Sequence, residues 1–312
     1  MSHEVRVHST TWLASGVVQV EFRDPAGADL PAWEPGAHLA LQLGNGTTRE
    51  YSLCGDPADR RSWAVAVMRE PNSRGGSSWV HERLTAGTLL KVDGPRNNFP
   101  LEPAEHHLLI AGGIGVTPMR PMAAELADRG GDWRMLYCGR SRQSMAFAAQ
   151  LRDIGGDRVR VHADDEHDGP PDLQAELADL APGTLVYCCG PEPLINAVES
   201  ALPDPSALRV ERFRAPDQPP STSDDGFDVV CEDSGVRVFV GPDVSVLDAL
   251  ADAGVDVPNS CQEGVCGTCE TKVLGGEPEH RDHVLSPGER ESGDTMMLCV
   301  SRCRSAELVL NL

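Results

Sequence analysis

Cys261-Gln262-Glu263-Gly264-Val265-Cys266-Gly267-Thr268-Cys269 places three thiols in one short loop, and Cys299 follows after a gap of 29 residues. Thiolates spaced in this way can reach two irons from several directions, which brings the backbone close to inorganic atoms. Gly264 and Gly267 relieve the clash that side chains would cause there. Backbone N–H groups of such a loop can then point at the sulfurs and favour a reduced metal centre. A structural zinc site is the competing chemistry, but it favours paired C-x2-C units and only Cys266 and Cys269 form one. The spacing predicts a [2Fe–2S] cluster held by Cys261, Cys266, Cys269 and Cys299, with Cys303 as the rival fourth ligand.

The order C-x4-C-x2-C…C is that of plant-type ferredoxins. A ferredoxin domain is therefore expected over 227–312. Phe227–Cys231 and Val236–Val240 predict a hairpin, Val244–Ala253 a helix and Glu307–Leu312 a last strand. The stretch 216–226 is rich in Pro, Ser and Asp without an apolar anchor, and predicts a linker.

The region 102–215 has a different rhythm. His107–Ala111, Arg134–Cys138, Arg158–Val161, Thr184–Cys188 and Leu208–Val210 predict strands. They alternate with helical patterns near Pro118–Arg129, Gln143–Arg152, Leu173–Leu180 and Leu194–Leu202. That alternation predicts a parallel α/β sheet. Gly112-Gly113-Ile114-Gly115-Val116-Thr117-Pro118 follows the first strand and opens a helix. It is not the G-x-G-x-x-G fingerprint. Its glycines still allow close backbone approach to a pyrophosphate, and Thr117 reads as an N-cap before Pro118. Cys189-Gly190-Pro191 forms a second such turn. Both lie at carboxyl ends of strands, where open α/β sheets bind ligands. A glycine turn with only a packing role is the alternative.

The region 1–101 reads as a small β-barrel. Val17–Phe22 and His38–Leu43 alternate apolar and polar residues, Trp63–Val67 and Leu89–Val92 add shorter runs, and Gly and Pro punctuate between them. Arg49-Glu50-Tyr51-Ser52 interrupts the pattern. On a strand Arg49 and Tyr51 share a face, about 7 Å apart. A guanidinium beside an aromatic ring suits a flavin mononucleotide, and Arg74-Gly75-Gly76-Ser77-Ser78 offers further donors for its phosphate. A surface arginine and a structural tyrosine are the alternative.

Composition bounds the rest. The chain has 312 residues, is 40% hydrophobic and contains 10 cysteines. No segment approaches the roughly 18 apolar residues of a membrane helix, and Met1–Glu4 lacks signal-peptide features. A cytoplasmic protein is expected, in which cysteines serve metal or redox chemistry rather than disulfides. The net charge of −21 argues against nucleic acid or an anionic membrane surface as partner. Between Ser221 and Leu312 there are 18 acidic against 6 basic residues, so the excess is concentrated there.

Taken in order, these motifs resemble the phthalate dioxygenase reductase and vanillate demethylase reductase family over essentially the whole chain. Arg49-Glu50-Tyr51-Ser52 looks like that family's flavin motif, and Gly75-Gly76-Ser77-Ser78 like its flavin phosphate loop. Gly112–Pro118 and Cys189-Gly190-Pro191 resemble its nicotinamide nucleotide loops. His280-Arg281-Asp282-His283-Val284-Leu285-Ser286 and Cys299-Val300-Ser301-Arg302 are also typical of it. The resemblance implies a six-stranded-type flavin barrel, an α/β nucleotide domain and a β-grasp ferredoxin domain. It implies FMN rather than FAD, NADH as donor, and electron delivery to a separate Rieske-type oxygenase.

Carried over by residue, Arg49 binds the FMN phosphate, Tyr51 packs along the flavin and Ser52 bonds near its N5. Gly75, Gly76, Ser77 and Ser78 complete the flavin site. Gly113, Gly115, Thr117, Cys189, Gly190 and Pro191 line the nicotinamide nucleotide. Phe213 falls where the family keeps an aromatic near the flavin, with core packing as the alternative. Arg140 and Arg142 could favour NADPH, whereas Asp164-Asp165-Glu166 opposes an extra phosphate. No protein acid, base or nucleophile is required, and Glu211 reads as structural or solvated. A monomer is expected, docking its oxygenase at the acidic ferredoxin domain. A cytochrome P450 as acceptor and a nonenzymatic iron–sulfur sensor are the other readings.

Overall fold

The computed structural model describes residues 2–71, 73, 75–214 and 226–312. They fall into two units, Met1–Arg212 and Phe213–Leu312. The expected linker at 216–226 lies outside the described residues except for Gly226.

The first unit opens with strands β1 (Ser2–Ala14), β2 (Val17–Arg23), β3 (Ala37–Gln42), β4 (Thr48–Ser52), β5 (Trp63–Met68) and β6 (Leu89–Asn97). They form one antiparallel sheet ordered β4-β3-β6-β1-β2-β5. A bridge between Leu53 and Val65 joins the two edge strands, which rolls the sheet into a barrel. Val5, Val20, Phe22, Leu39, Leu41, Trp63 and Val65 fill it and are almost wholly buried. Each such side chain contributes about 1.5–3 kcal/mol by leaving water. The long first strand was not apparent in the sequence, and neither was helix α1 (Gly76–Arg83) between β5 and β6. The segment GSSWVHER carries few apolar residues and so gives little helical pattern.

The second half of this unit has strands β7 (His106–Gly112), β8 (Asp132–Gly139), β9 (Val159–Ala163), β10 (Thr184–Cys189) and β11 (Leu208–Glu211). All pairings are parallel, in the order β11-β10-β7-β8-β9. Helices α2 (Val116–Asp128), α3 (Ala148–Gly155), α4 (Leu173–Ala178) and α5 (Glu192–Ala201) connect them. Successive residues of β7 face opposite sides, as a strand demands. Leu109 and Ala111 join one core with Met119, Met122 and Leu151, whereas Leu108 and Ile110 join another with Leu177, Ile195 and Val198. The strand order reverses between β7 and β10, and both glycine turns leave the sheet at that point. A crevice at such a reversal is where these sheets bind ligands.

The second unit contains β12 (Phe227–Cys231), β13 (Arg237–Val240), helix α6 (Val246–Asp252), β14 (Glu270–Gly275), β15 (Pro278–Glu279), helix α7 (Pro287–Ser292), β16 (Thr295–Met297), β17 (Arg302–Cys303) and β18 (Glu307–Leu310). Its main sheet runs β13-β12-β18-β14-β16, with β12 and β18 parallel. The expected hairpin is β12–β13, paired antiparallel. Ser245 caps α6 by accepting the Asp248 N–H, and Val246, Leu247, Ala249 and Leu250 press its buried face onto the sheet. The cysteine loop spans the interval between α6 and β14.

Candidate functional site

The flavin side is built on β4. Leu41 pairs with Arg49 and Leu39 with Tyr51, so both site residues fall on one face. A methyl group added at Gly76 would lie 2.7 Å from Arg49 Cγ and 2.8 Å from its Nε. The arginine side chain therefore crosses the first residue of α1 and would have to shift for any side chain there. Gly75 precedes it in the left-handed region, with φ of 90°. Ser77 Oγ accepts the Glu70 N–H at 3.1 Å and donates to Ser73 Oγ at 3.1 Å, and Ser78 also contacts that hydroxyl. A helix start beside a guanidinium is suited to an anion. Burial pushes the Tyr51 phenol up to about 12, against the pull of Arg49, so it stays neutral. Arg74 lies outside the described residues.

The nucleotide side consists of two turns packed backbone to backbone. A methyl at Gly115 would fall 2.1 Å from the Cys189 carbonyl oxygen, and one at Gly190 would fall 3.0 Å from Gly112 Cα. These contacts bring the backbones of the two turns together at the strand ends, with Pro191 and Leu194 packed against Gly112, and exposed backbone of this kind suits a pyrophosphate. Gly113 is left-handed, with open space where a side chain would stand. Thr117 needs correction as an N-cap. A 3-10 turn over Gly113–Gly115 starts the helix early, at Val116, so Thr117 sits inside it. Its hydroxyl donates to the Ile114 carbonyl at 2.9 Å, and the residue is 2% exposed. Pro191 precedes the first residue of α5.

One residue read as structural belongs to the site. Glu211 ends β11 directly beside Cys189, its partner in the sheet. Its Oε2 accepts from Ser52 Oγ at 3.3 Å and from Cys189 Sγ at 3.8 Å. Barrel, glycine turn and last strand thus meet at one carboxyl. The residue as a whole is only half-buried, but the carboxyl is its desolvated end. That desolvation pushes it up to about 8, although both hydrogen bonds pull the other way. Burial, then the neighbouring carboxyl, holds the Cys189 thiol well above its usual range. The available signal was an acidic residue closing a short strand in which Leu208 and Val210 alternate with Arg209. Phe213 follows two residues later, opens the second unit and is 40% exposed, so it is not a core side chain.

Cys261, Cys266, Cys269 and Cys299, the four expected ligands, come together in the second unit. Cys261 shares hydrogen bonds with Cys266 and with Cys299, and Cys299 with Cys269. Glu263 donates its N–H to Cys261 Sγ at 3.3 Å, and Thr268 donates to Cys266 Sγ at 3.5 Å. Those bonds to neighbouring thiols, with the N–H groups of Glu263 and Val265, hold Cys261 far below the usual thiol range. The donors are preset for sulfur carrying negative charge, as a metal-bound thiolate does. Gly264 and Gly267 both take positive φ, at 69° and 75°. Among the described residues no three His, Cys, Asp or Glu side chains gather tightly enough for one ion. Cys303 turns away and contacts Ser305 Oγ at 3.1 Å.

Flavin barrel, nucleotide sheet and cysteine loop together define a reductase. Residues 229–304 match the 2Fe-2S iron-sulfur cluster binding domain, and 98–205 match the N-terminal domain of dimethylamine monooxygenase subunit DmmA-like proteins. The chain is 44% identical over 313 residues to phenoxybenzoate dioxygenase subunit beta of Ectopseudomonas oleovorans, covering 99% of this chain and 97% of that one. It is 40% identical over 322 residues to a vanillate O-demethylase oxidoreductase of a Pseudomonas strain, covering 99% of each. A solved phthalate dioxygenase reductase superposes with a TM-score of 0.73 at 36% identity, over 100% of this chain and 98% of that one. A self-sufficient cytochrome P450 monooxygenase superposes with a TM-score of 0.93 at 43% identity, but this chain spans only 41% of its length.

The chain belongs to the phthalate dioxygenase reductase and vanillate O-demethylase oxidoreductase family. It is an NAD(P)H-dependent flavin and iron–sulfur oxidoreductase, the reductase component of an oxygenase system, as the sequence led one to expect. No helix among the described residues is long and apolar enough to cross a membrane.

Proposed function

We propose that this protein takes hydride from NADH at FMN and releases single electrons through its cluster to a Rieske-type oxygenase. The observation that carries the reading is the meeting of Ser52, Cys189 and Glu211, which joins the flavin barrel to the nucleotide turn. When bound, FMN converts a two-electron donor into one-electron steps and the [2Fe–2S] cluster passes them on singly. The chain's part is to bind, orient and insulate. In this reading the chain divides as a flavin domain over 1–101, a nucleotide domain over 102–215, a linker over 216–226 and a ferredoxin domain over 227–312.

Arg49 holds the FMN phosphate at the start of α1, with Gly75, Gly76, Ser77 and Ser78. Tyr51 lines the flavin and Ser52 presents its hydroxyl to the ring. Gly113, Gly115, Thr117, Cys189, Gly190 and Pro191 floor the nicotinamide nucleotide. Glu211, kept protonated at neutral pH, avoids placing a second negative charge near the reduced flavin. Phe213 holds the position at which the family keeps an aromatic for the flavin. Cys261, Cys266, Cys269 and Cys299 hold the irons.

NADH is favoured because Asp165 sits on the arginine loop. Its Oδ1 accepts the Arg142 N–H at 3.2 Å, and its own N–H donates to the Arg140 carbonyl at 3.2 Å. A 2′-phosphate brought there meets that carboxylate before it gains the guanidinium groups. A separate oxygenase is favoured over a P450 because relatives matched over 96–98% of their length include proteins named as subunits of dioxygenase and monooxygenase systems. The protein acts as a cytoplasmic monomer. Its acidic ferredoxin domain docks on a basic patch of the oxygenase, in a small and transient encounter.

Mixing the purified protein with NADH under argon tests the scheme. Flavin bands bleach first, cluster bands follow, and the flavin released by heat is FMN. Transfer to a purified Rieske-type oxygenase falls as ionic strength rises. A rate indifferent to salt refutes the docking surface, and faster reduction of a P450 refutes the acceptor.

A further inference from the structure

The run His280–Leu285 forms a buried polar knot behind the cysteine loop. Asp282 is 1% exposed. Its Oδ2 accepts the N–H groups of Val284 at 3.0 Å and Leu285 at 2.9 Å. Arg290, at the end of α7, lies 3.7 Å from that oxygen and also donates to the Asp282 carbonyl. His280 Nδ1 stands 3.8 Å from Asp282 Oδ1. Both ring nitrogens of His280, Asp282 Oδ1 and Arg290 Nε are buried without a hydrogen-bond partner. Four such atoms in one place are costly to the fold.

The knot touches the cluster loop at its middle. Gly264, between Cys261 and Cys266, has no room for a side chain, because a methyl there would fall 3.1 Å from Asp282 Cα and 2.5 Å from Val300 Cγ2. The His283 N–H donates to the Gly264 carbonyl at 2.8 Å. A carboxylate in this position is fixed by two backbone donors and screened little by water. Its field therefore acts on any charge gained by the neighbouring loop.

We propose that Asp282 is a positioning residue of the iron–sulfur centre, fixing segment 282–285 under Gly264 and, with Arg290, setting the centre's reduction potential. The inference rests on the assignment of Cys261, Cys266, Cys269 and Cys299 as ligands. When the centre gains its electron, Asp282 opposes the added negative charge and Arg290 favours it. Removing either charge shifts the equilibrium, and the two removals shift it in opposite directions. A knot that merely braced the loop lacks that signature, because loosening a brace from either side has no reason to change sign.

The test is a dye-mediated redox titration of the visible cluster bands in the holoprotein. Asp282→Asn keeps an acceptor for the two N–H groups and loses the charge. At a fixed potential its reduced-to-oxidised ratio rises about tenfold, which for one electron is about +59 mV. Arg290→Gln, on a side chain 37% exposed, moves the ratio the other way. Shifts of the same sign, or no shift in either variant with cluster bands intact, overturn the proposal. If Asp282→Asn holds no cluster, Arg290→Gln decides alone: a downward shift supports tuning, and an unchanged or raised potential refutes it. Absence of [2Fe–2S] bands in the unaltered protein strikes the ligand assignment instead.

Discussion

Cys189 and Cys261 are the same residue type put to opposite uses. Cys189 closes a central strand, wholly buried, and desolvation with a neighbouring carboxyl keeps its proton on. Cys261 lies on a tight loop whose N–H groups and sister thiols favour the thiolate. The first environment suits a surface that receives a hydride and must stay uncharged. The second suits a surface that binds metal and must be charged. What separates them is the local backbone: a parallel strand spends its N–H groups on the sheet, whereas a loop leaves them free to face sulfur.

Removing a thiol on each side should break different halves of the relay. Cys269→Ser takes a ligand from the cluster while the first unit keeps its own core. Electron exit to cytochrome c should fall by at least about 100-fold, since even second-layer losses at metal sites cost 10–100-fold. Flavin reduction by NADH, read by bleaching in a stopped-flow instrument, should remain near its original rate. A matching loss in both steps would mean that the units do not work separately.

The converse variant is Cys189→Ala. It deletes a hydrogen bond to Glu211 without touching the cysteine loop. Flavin reduction should slow about tenfold, in line with one hydrogen bond of about 1–1.5 kcal/mol. The cluster bands should be unchanged. Slowed flavin reduction accompanied by altered cluster bands would erase the contrast between the two thiols.

The two regions also differed in how far the sequence revealed them. The cysteine loop was legible because its ligands lie within nine positions, with Cys299 the one distant addition, and spacing alone carries the chemistry. The glycine turns were legible for the same reason. Glu211 was not, because its partners lie 22 and 159 residues away and only strand register and barrel packing unite them. The early start of α2 was missed because a 3-10 turn has no pattern of its own. Between Glu270 and Cys303 the elements are two to six residues long, too short for any periodicity to show.

The smallest expected effect concerns that hidden carboxyl. Glu211 has a folded value near 8 against an ordinary 4.5. The folded protein therefore keeps a proton that the unfolded chain releases between those values. Protons bound in the unfolded state are then fewer than in the folded state, so stability falls as pH rises. The contribution is complete below about pH 4.5 and is lost progressively toward pH 8, with a slope of at most about 1.4 kcal/mol per pH unit. Summed from 4.5 to 8, that slope gives at most about 5 kcal/mol. Water reaching the half-buried residue screens most of it, and roughly 1 kcal/mol in total, or about 2–4 °C in the melting midpoint, is expected. Glu211→Gln keeps an acceptor for Ser52 but cannot titrate. Its melting midpoint, followed by flavin fluorescence between pH 5 and 8, should lose this part of the slope. Cluster loss with pH should be the same in both proteins, because the thiols of the second unit do not share the carboxyl. If the slope persists in Glu211→Gln, the uncharged character of the hydride surface comes from another group.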